Sequence, residues 1–204
     1  MKSTRKIVSI AVLVVAFGYL HGANGTTPQD KLTADFTMTR TLSVLSDSIT
    51  SSGKLTLGGP GLLRWETTSP GKSVLIVNKN KAWIHYPDLG VTKNFDIGSD
   101  PVMKVLSEHL LVLTSGDLVR VAQLYKVVEQ GKVRQLIPNE AAVRKVFREM
   151  RVELNGEGVA TRVELVSTTG DTTTITFENI RLSPPLSRGL FSAPKSVDKS
   201  TRNR

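Results

Sequence analysis

The chain has 204 residues, a formal net charge of +9 and no cysteine. Without cysteine there can be no disulfide and no lipid-modified N-terminal cysteine. The positive charge is moderate and widely spread. No basic and aromatic residues interleave on a recognisable platform, which argues against a nucleic-acid partner.

Residues 1–25 differ from the rest. Lys2, Arg5 and Lys6 make a basic start, Ile7 to Leu20 is an uncharged apolar run, and Ala23-Asn24-Gly25 is a small-x-small ending. This is the pattern of a secretory signal peptide. The apolar run falls short of the roughly 20 residues that a membrane span needs. Removing the three basic residues leaves a mature chain of about +6. Residues 26–194 read as one domain, and residues 195–204 as a basic, hydrophilic tail.

Strand patterns dominate the mature chain. Leu32, Ala34, Phe36 and Met38 alternate with polar partners, the period of a half-buried strand. Leu55 and Leu57 share one face of the next segment. Leu63, Trp65 and Thr67 share one face of "LLRWETT", with Leu62, Arg64 and Glu66 opposite. Ser69-Pro70-Gly71 reads as a turn, with proline setting its first corner and glycine free to take a positive φ. "SVLIVNKNKAWIHYP" predicts a hairpin turning at Asn78-Lys79-Asn80 and stopped by Pro87. Asp100 and Pro101 then suit a helix start. Val102, Met103, Leu106, Leu110 and Leu113 recur at helical spacing, and Gly116 ends the helix.

Strands resume after it. "LYKVVEQGKVRQLIP" predicts a hairpin turning near Gln130-Gly131. "AAVRKVFREMRVELNGEG" begins as a helical turn or a strand and ends as a strand. "ATRVELVSTTGDTTTITFENIRL" predicts a hairpin around Thr169-Gly170-Asp171. Leu190 and Phe191 are the anchors of an irregular ending. The sum is a mainly β (α+β) domain of about ten strands, one curved antiparallel sheet and one or two helices.

Gly71-Lys72-Ser73 matches the end of a phosphate-binding loop, but Glu66 stands where the loop's first glycine belongs and a strand follows. His85 and His109 are far apart and suit surface or structural roles. No Gly-x-Ser-x-Gly elbow occurs. Glu66 alternates away from Trp65 and suits a basic partner on the sheet surface. Nothing points to catalysis, a metal or a cofactor. What remains is apolar surface in "LLRW", "VLIV" and "AWIHY", which serves either as ordinary core or as a cavity for an acyl chain.

The order of these segments resembles the LolA-like, outer-membrane lipoprotein carrier family. The similar stretches are Ala34-Asp35-Phe36-Thr37, Ser52-Gly53-Lys54-Leu55, Pro60 to Glu66, Pro70, Ser73 to Val77 and Lys81 to Pro87. Later ones are Ser115 to Leu118, Gly170-Asp171, Ile175-Thr176-Phe177 and Leu190 to Pro194. The resemblance implies an incomplete antiparallel barrel with a helical lid over a hydrophobic cavity. It implies a periplasmic carrier, without cofactor or enzymatic activity, that shields the acyl chains of lipoproteins or a related lipid. Cargo would pass from an inner-membrane ABC exporter to an outer-membrane receptor, with the carrier a monomer. By position, Leu63 matches an apolar family residue at the cavity mouth, and Trp83 the hairpin tryptophan. The cavity candidates are Leu63, Trp65, Val74, Ile76 and Trp83, with Met103, Leu106 and Leu110 as the lid's inner face. Gly59 stands where the family carries a basic latch residue, and only Thr26 to Lys31 precede the first strand. The other readings are a periplasmic sensor or regulator on the same fold, which would usually add a signalling domain, and a hydrolase, which would need a nucleophile beside a histidine.

Overall fold

The computed structural model describes residues 31–44, 47–59, 61–97, 99, 118–145 and 147–194. The helix expected from Asp100 to Gly116, with Met103, Leu106, Leu110 and His109, lies outside the described residues, as do the signal segment and the basic tail.

Eleven strands form one sheet among the described residues, all paired antiparallel. The first six are β1 (Leu32–Thr41), β2 (Ser48–Gly59), β3 (Leu62–Ser69), β4 (Ser73–Asn78), β5 (Lys81–Tyr86) and β6 (Val91–Asp96). A short helix, α1 (Leu118–Leu124), leads into β7 (Tyr125–Gln130) and β8 (Val133–Pro138). One helical turn, α2 (Ala141–Arg144), precedes β9 (Phe147–Leu154), β10 (Ala160–Ser167) and β11 (Thr172–Leu182). The strand order is β6-β5-β4-β3-β2-β1-β11-β10-β9-β8-β7. Each neighbour in the chain is a neighbour in the sheet, except β6 and β7, which stand at its two outer edges, and β1 pairs with β11 in the middle. That pairing joins the two halves into one surface.

One face of this surface carries the core. A single cluster unites Leu32, Phe36, Leu63 and Trp65 from the first half with Leu136, Met150, Val163 and Ile175 from the second. One sheet can bring both ends of its strand order into one cluster only by curling around it. No described strand pairs with the outer edges of β6 and β7, so the result is an incomplete barrel.

Bulges help the curl. Between β1 and β11 the register shifts at Thr33/Asp35, and Asn179 takes a left-handed φ of 51° beside it. Its side-chain amide donates to Asp35 Oδ2 at 2.9 Å. A bulge of this kind bends the strand and sharpens its twist. Gly53 does a related job on β2. A Cβ there would lie 1.9 Å from the Glu66 carbonyl oxygen and 2.9 Å from the Phe36 ring. Only glycine allows β2, β3 and Phe36 to come so close.

The turns fall close to where the sequence puts them. The β4–β5 hairpin turns within Asn78-Lys79-Asn80 as expected, with Lys79 at a positive φ of 53°. Ser69-Pro70-Gly71 is the turn between β3 and β4 as expected, with Ser69–Pro70 a cis peptide and Gly71 not using the positive φ open to it. Pro87 ends β5 as expected and opens a 3-10 turn that Gly90 closes at φ 62°. β6 and α1 follow from no strand or helix pattern recognised in the sequence. The Gln130-Gly131 and Thr169-Gly170-Asp171 turns are where the sequence puts them, with Gly131 and Gly170 at φ 60° and 88°. "AAVRKVFREMRVEL" resolves into a helical turn and then a strand.

Candidate functional site: the apolar inner face

The site follows from alternation along β3 and from its register with β4. Leu63 lies opposite Val77, and Trp65 opposite Leu75. Val77 in turn lies opposite Ala82, and Leu75 opposite Ile84. Residues directly opposite in an antiparallel pair share a face. Leu63, Trp65, Leu75, Val77, Ala82 and Ile84 therefore make one apolar patch on the inner face.

Neighbouring strands extend it. Trp65 lies opposite Leu55 of β2, and Leu63 opposite Leu57. The Trp65 ring stacks on Phe36 with centroids 3.9 Å apart and an interplanar angle of 29°. Leu75, Phe95 and Met38 are only half-buried against this core. None of these side chains carries a charge, and Lys93 of β6 lies opposite Ile84 at the edge of the patch. On the same face Ser51 Oγ is buried without a hydrogen-bond partner among the described residues. Across the sheet, Tyr125 is buried to 1% exposure, and burial pushes its phenol above its ordinary pKa. It stays neutral at any physiological pH and brings no charge to the interior.

The eight cavity candidates do not all meet. Leu63 and Trp65 lie together on the inner face, at 4% and 6% exposure. Val74, Ile76 and Trp83 lie on the outer face. Ile76 is opposite both Arg64 and Trp83, and Val74 is opposite Glu66 and His85. Grouping them with Leu63 is thus corrected by register. The inner-face residues of the same segments are Leu75, Val77, Ala82 and Ile84, which the sequence pattern does not single out.

The outer face of this half sets Val74, Ile76 and Trp83 among polar groups, and it is strapped. Arg64 Nε and Nη2 donate to Glu66 Oε2 at 3.1 and 2.9 Å, the basic partner expected for Glu66. Arg64 Nη1 also reaches the Leu190 carbonyl at 3.5 Å, and Asn78 donates to the Phe191 carbonyl at 3.1 Å. Phe191 sits where a side chain at Gly58 would be, since a Cβ there would be 2.4 Å from its ring. The C-terminal segment is therefore fastened across the outside of β2, β3 and β4. Leu190 and Phe191 anchor it, as the sequence suggests. Arg64, on the face away from Leu63, cannot latch anything over the inner patch.

The position of the missing latch has its own geometry. Gly59 has a φ of 114° in the bulge where β2 meets β3. A basic side chain there would force a residue with a Cβ into a backbone region that L-residues avoid. His85 Nδ1 lies 2.8 Å from Thr92 Oγ1, a surface contact between β5 and β6.

An open hollow of about 330 Å³ lies on the sheet around Asp35, Lys54 and Glu178, beside Gly53. Its Asp35–Lys54 ion pair at 3.7 Å makes it a poor match for an acyl chain. No group of three or more His, Cys, Asp or Glu that could hold a metal occurs among the described residues, and no described helix is long and apolar enough to cross a membrane. The chemistry that the inner patch offers is burial of apolar matter.

Comparison with known proteins agrees with this geometry. An outer-membrane lipoprotein carrier protein of Pseudomonas paraeruginosa is 25% identical over 152 residues, covering 72% of this chain and 70% of that protein. The carrier protein of Pseudomonas putida strain GB-1 is 27% identical over 154 residues with the same coverage. An uncharacterised conserved protein from Thermus thermophilus matches in structure with a TM-score of 0.50 at 9% identity, over 96% of both chains, and shares the fold. The family model described as outer membrane lipoprotein carrier protein LolA matches residues 29–194, and the chain belongs to that family.

Proposed function

We propose that this protein is a periplasmic carrier, not an enzyme, that shields the acyl chains of a lipoprotein or related lipid between the inner and outer membranes. The observation that carries the reading is the apolar inner patch built by Leu63, Trp65, Leu75, Val77, Ala82 and Ile84. Each buried methylene stabilises the bound chain by about 0.8 kcal/mol, so an acyl group in water gains strongly from such a surface. Family membership and the names of the relatives support the same reading. On it, residues 1–25 direct export and are removed, and residues 26–194 are the carrier domain. An inner-membrane ABC exporter supplies the cargo and an outer-membrane receptor takes it. The carrier acts as a monomer and needs no cofactor. On the same reading Met103, Leu106 and Leu110, which lie outside the described residues, are cargo-binding residues too.

Native mass spectrometry of protein purified from its own source tests this directly, together with uptake of a fluorescent fatty-acyl probe. An acylated ligand and saturable uptake are expected. Neither ligand nor uptake would overturn the carrier reading. The Leu75→Glu variant tests the patch, because Leu75 is half-buried and its replacement spares the tightest core. Uptake should fall while the melting transition stays cooperative. Full uptake by that variant would move the cargo site elsewhere.

A further inference from the structure

The described residues expose four large apolar side chains: Val44 at 86%, Ile49 at 57%, Leu89 at 67% and Val91 at 41%. Strand direction puts all four at one end of the sheet. β1 runs up to this end and β2 leaves it, so Val44 and Ile49 flank the β1–β2 connection. β5 runs up and β6 leaves, with Leu89 and Val91 at their turn. The cis-proline turn between β3 and β4 lies between the two sites, at the same end. Four strand spacings separate them, roughly 19 Å along the sheet. The turns at the opposite end, at Lys79-Asn80, Gly131-Lys132 and Asn155 to Gly158, expose no large apolar side chain.

The β1–β2 tip is held in place. The backbone N–H of Ser43 donates to Asp171 Oδ1 at 2.9 Å, its hydroxyl donates to the Thr169 carbonyl at 2.8 Å, and Arg40 lies 3.8 Å from Asp171 Oδ2. Val44 is thus presented to solvent from a clasped turn.

We infer that this end of the barrel is a membrane-docking rim that dips its apolar tips into a phospholipid bilayer. Two observations favour a bilayer over a protein groove. The tips are separate points with a polar turn between them, not one continuous patch. A fluid planar apolar layer accepts such points at any spacing, whereas a groove needs contiguous contact. Exposed Lys72, Lys145 and Arg148 stand at the same end to meet lipid phosphates. Exposed Asp47, Asp88 and Glu140 offset these three one for one, so the apolar tips supply the binding. This inference stands apart from the carrier reading, since docking needs no cargo.

The test is flotation of the full mature chain with vesicles of phosphatidylethanolamine and phosphatidylglycerol. The wild type should float with them. The Val44→Asp/Leu89→Asp variant should lose at least about tenfold in vesicle affinity, as expected when two apolar tips no longer enter the bilayer. It should keep its acyl-probe uptake and its melting temperature. The Gln130→Asp/Gly156→Asp variant makes the same charge change at the opposite end, where a Cβ at Gly156 meets nothing within 4 Å. It should float like the wild type. A wild type that stays in solution, or two double variants that lose binding equally, would overturn the inference.

Discussion

The two tryptophans of the β3–β5 region have the same side chain and opposite situations. Trp65 is 6% exposed, stacked on Phe36 and inside the core that both halves of the sheet share. Trp83 is half-buried on the outer face, opposite Ile76 on one side and Asn94 on the other. A tryptophan beside an apolar run is therefore no guide to a lipid-facing surface. What decides is the strand register, which sets Trp65 opposite Leu75 and Trp83 opposite Ile76.

The largest expected effect strikes the seat of Trp65 and not Trp65 itself. Gly53→Ala would drive a Cβ to 1.9 Å from the Glu66 backbone carbonyl and 2.9 Å from the Phe36 ring that Trp65 stacks on. A carbonyl fixed between two strands cannot give way as a flexible side chain can. Overpacking of this kind, with the backbone itself displaced, should cost about 4 kcal/mol or prevent folding outright. Urea denaturation measures it. A loss below about 1 kcal/mol would mean that β2 and β3 part easily here, and that the close approach is not what shapes the inner patch.

Next comes the direct contrast. Trp65→Ala removes a buried ring and should destabilise by about 3–5 kcal/mol. Trp83→Ala should cost clearly less, about 1–2 kcal/mol, because its ring is only half removed from water. The acyl-probe assay sharpens the same comparison. A Trp65→Leu variant keeps an apolar group on the patch and should alter probe affinity, whereas Trp83→Leu should leave it unchanged. Equal effects of the two leucine variants would put the cargo on both faces and dissolve the distinction.

Much of this is legible in the sequence. Alternation in "LTADFTMTR" and "LLRWETT" marks both strands and the correct face for Leu63 and Trp65. Gly131 and Gly170 mark two turns because each takes a positive φ there. The face of Val74, Leu75, Ile76 and Val77 is not legible. Four apolar residues in succession have no period, so only pairing with β3 can say which two point inward. "VTKNFD" escapes recognition as a strand for a related reason. It is an edge strand, mostly exposed, and little apolar contrast marks its two faces. Gly59 illustrates a further limit. Its identity is visible as a departure from the family's basic residue, but its φ of 114° is a property of the bulge.

The smallest effect concerns the clasp at the β1–β2 tip, far from either tryptophan. The Ser43 backbone N–H holds the Asp171 carboxyl below its ordinary pKa of 3.8, helped by the Ser43 hydroxyl and Arg40. A carboxyl with a lowered folded pKa stabilises the fold fully above the ordinary value. That contribution fades as pH falls below 3.8 and through the lowered folded value. Water reaches the clasp and screens it, so Asp171→Asn should cost under about 1 kcal/mol at neutral pH. The gap between wild type and variant should close on acidification across that window and stay constant from about pH 6 to 8. A gap that persists well below the window would mean that the asparagine side chain fails by shape and not by charge. Acyl-probe uptake should be the same in both proteins at neutral pH, because the clasp orders the rim and leaves the inner patch around Trp65 untouched.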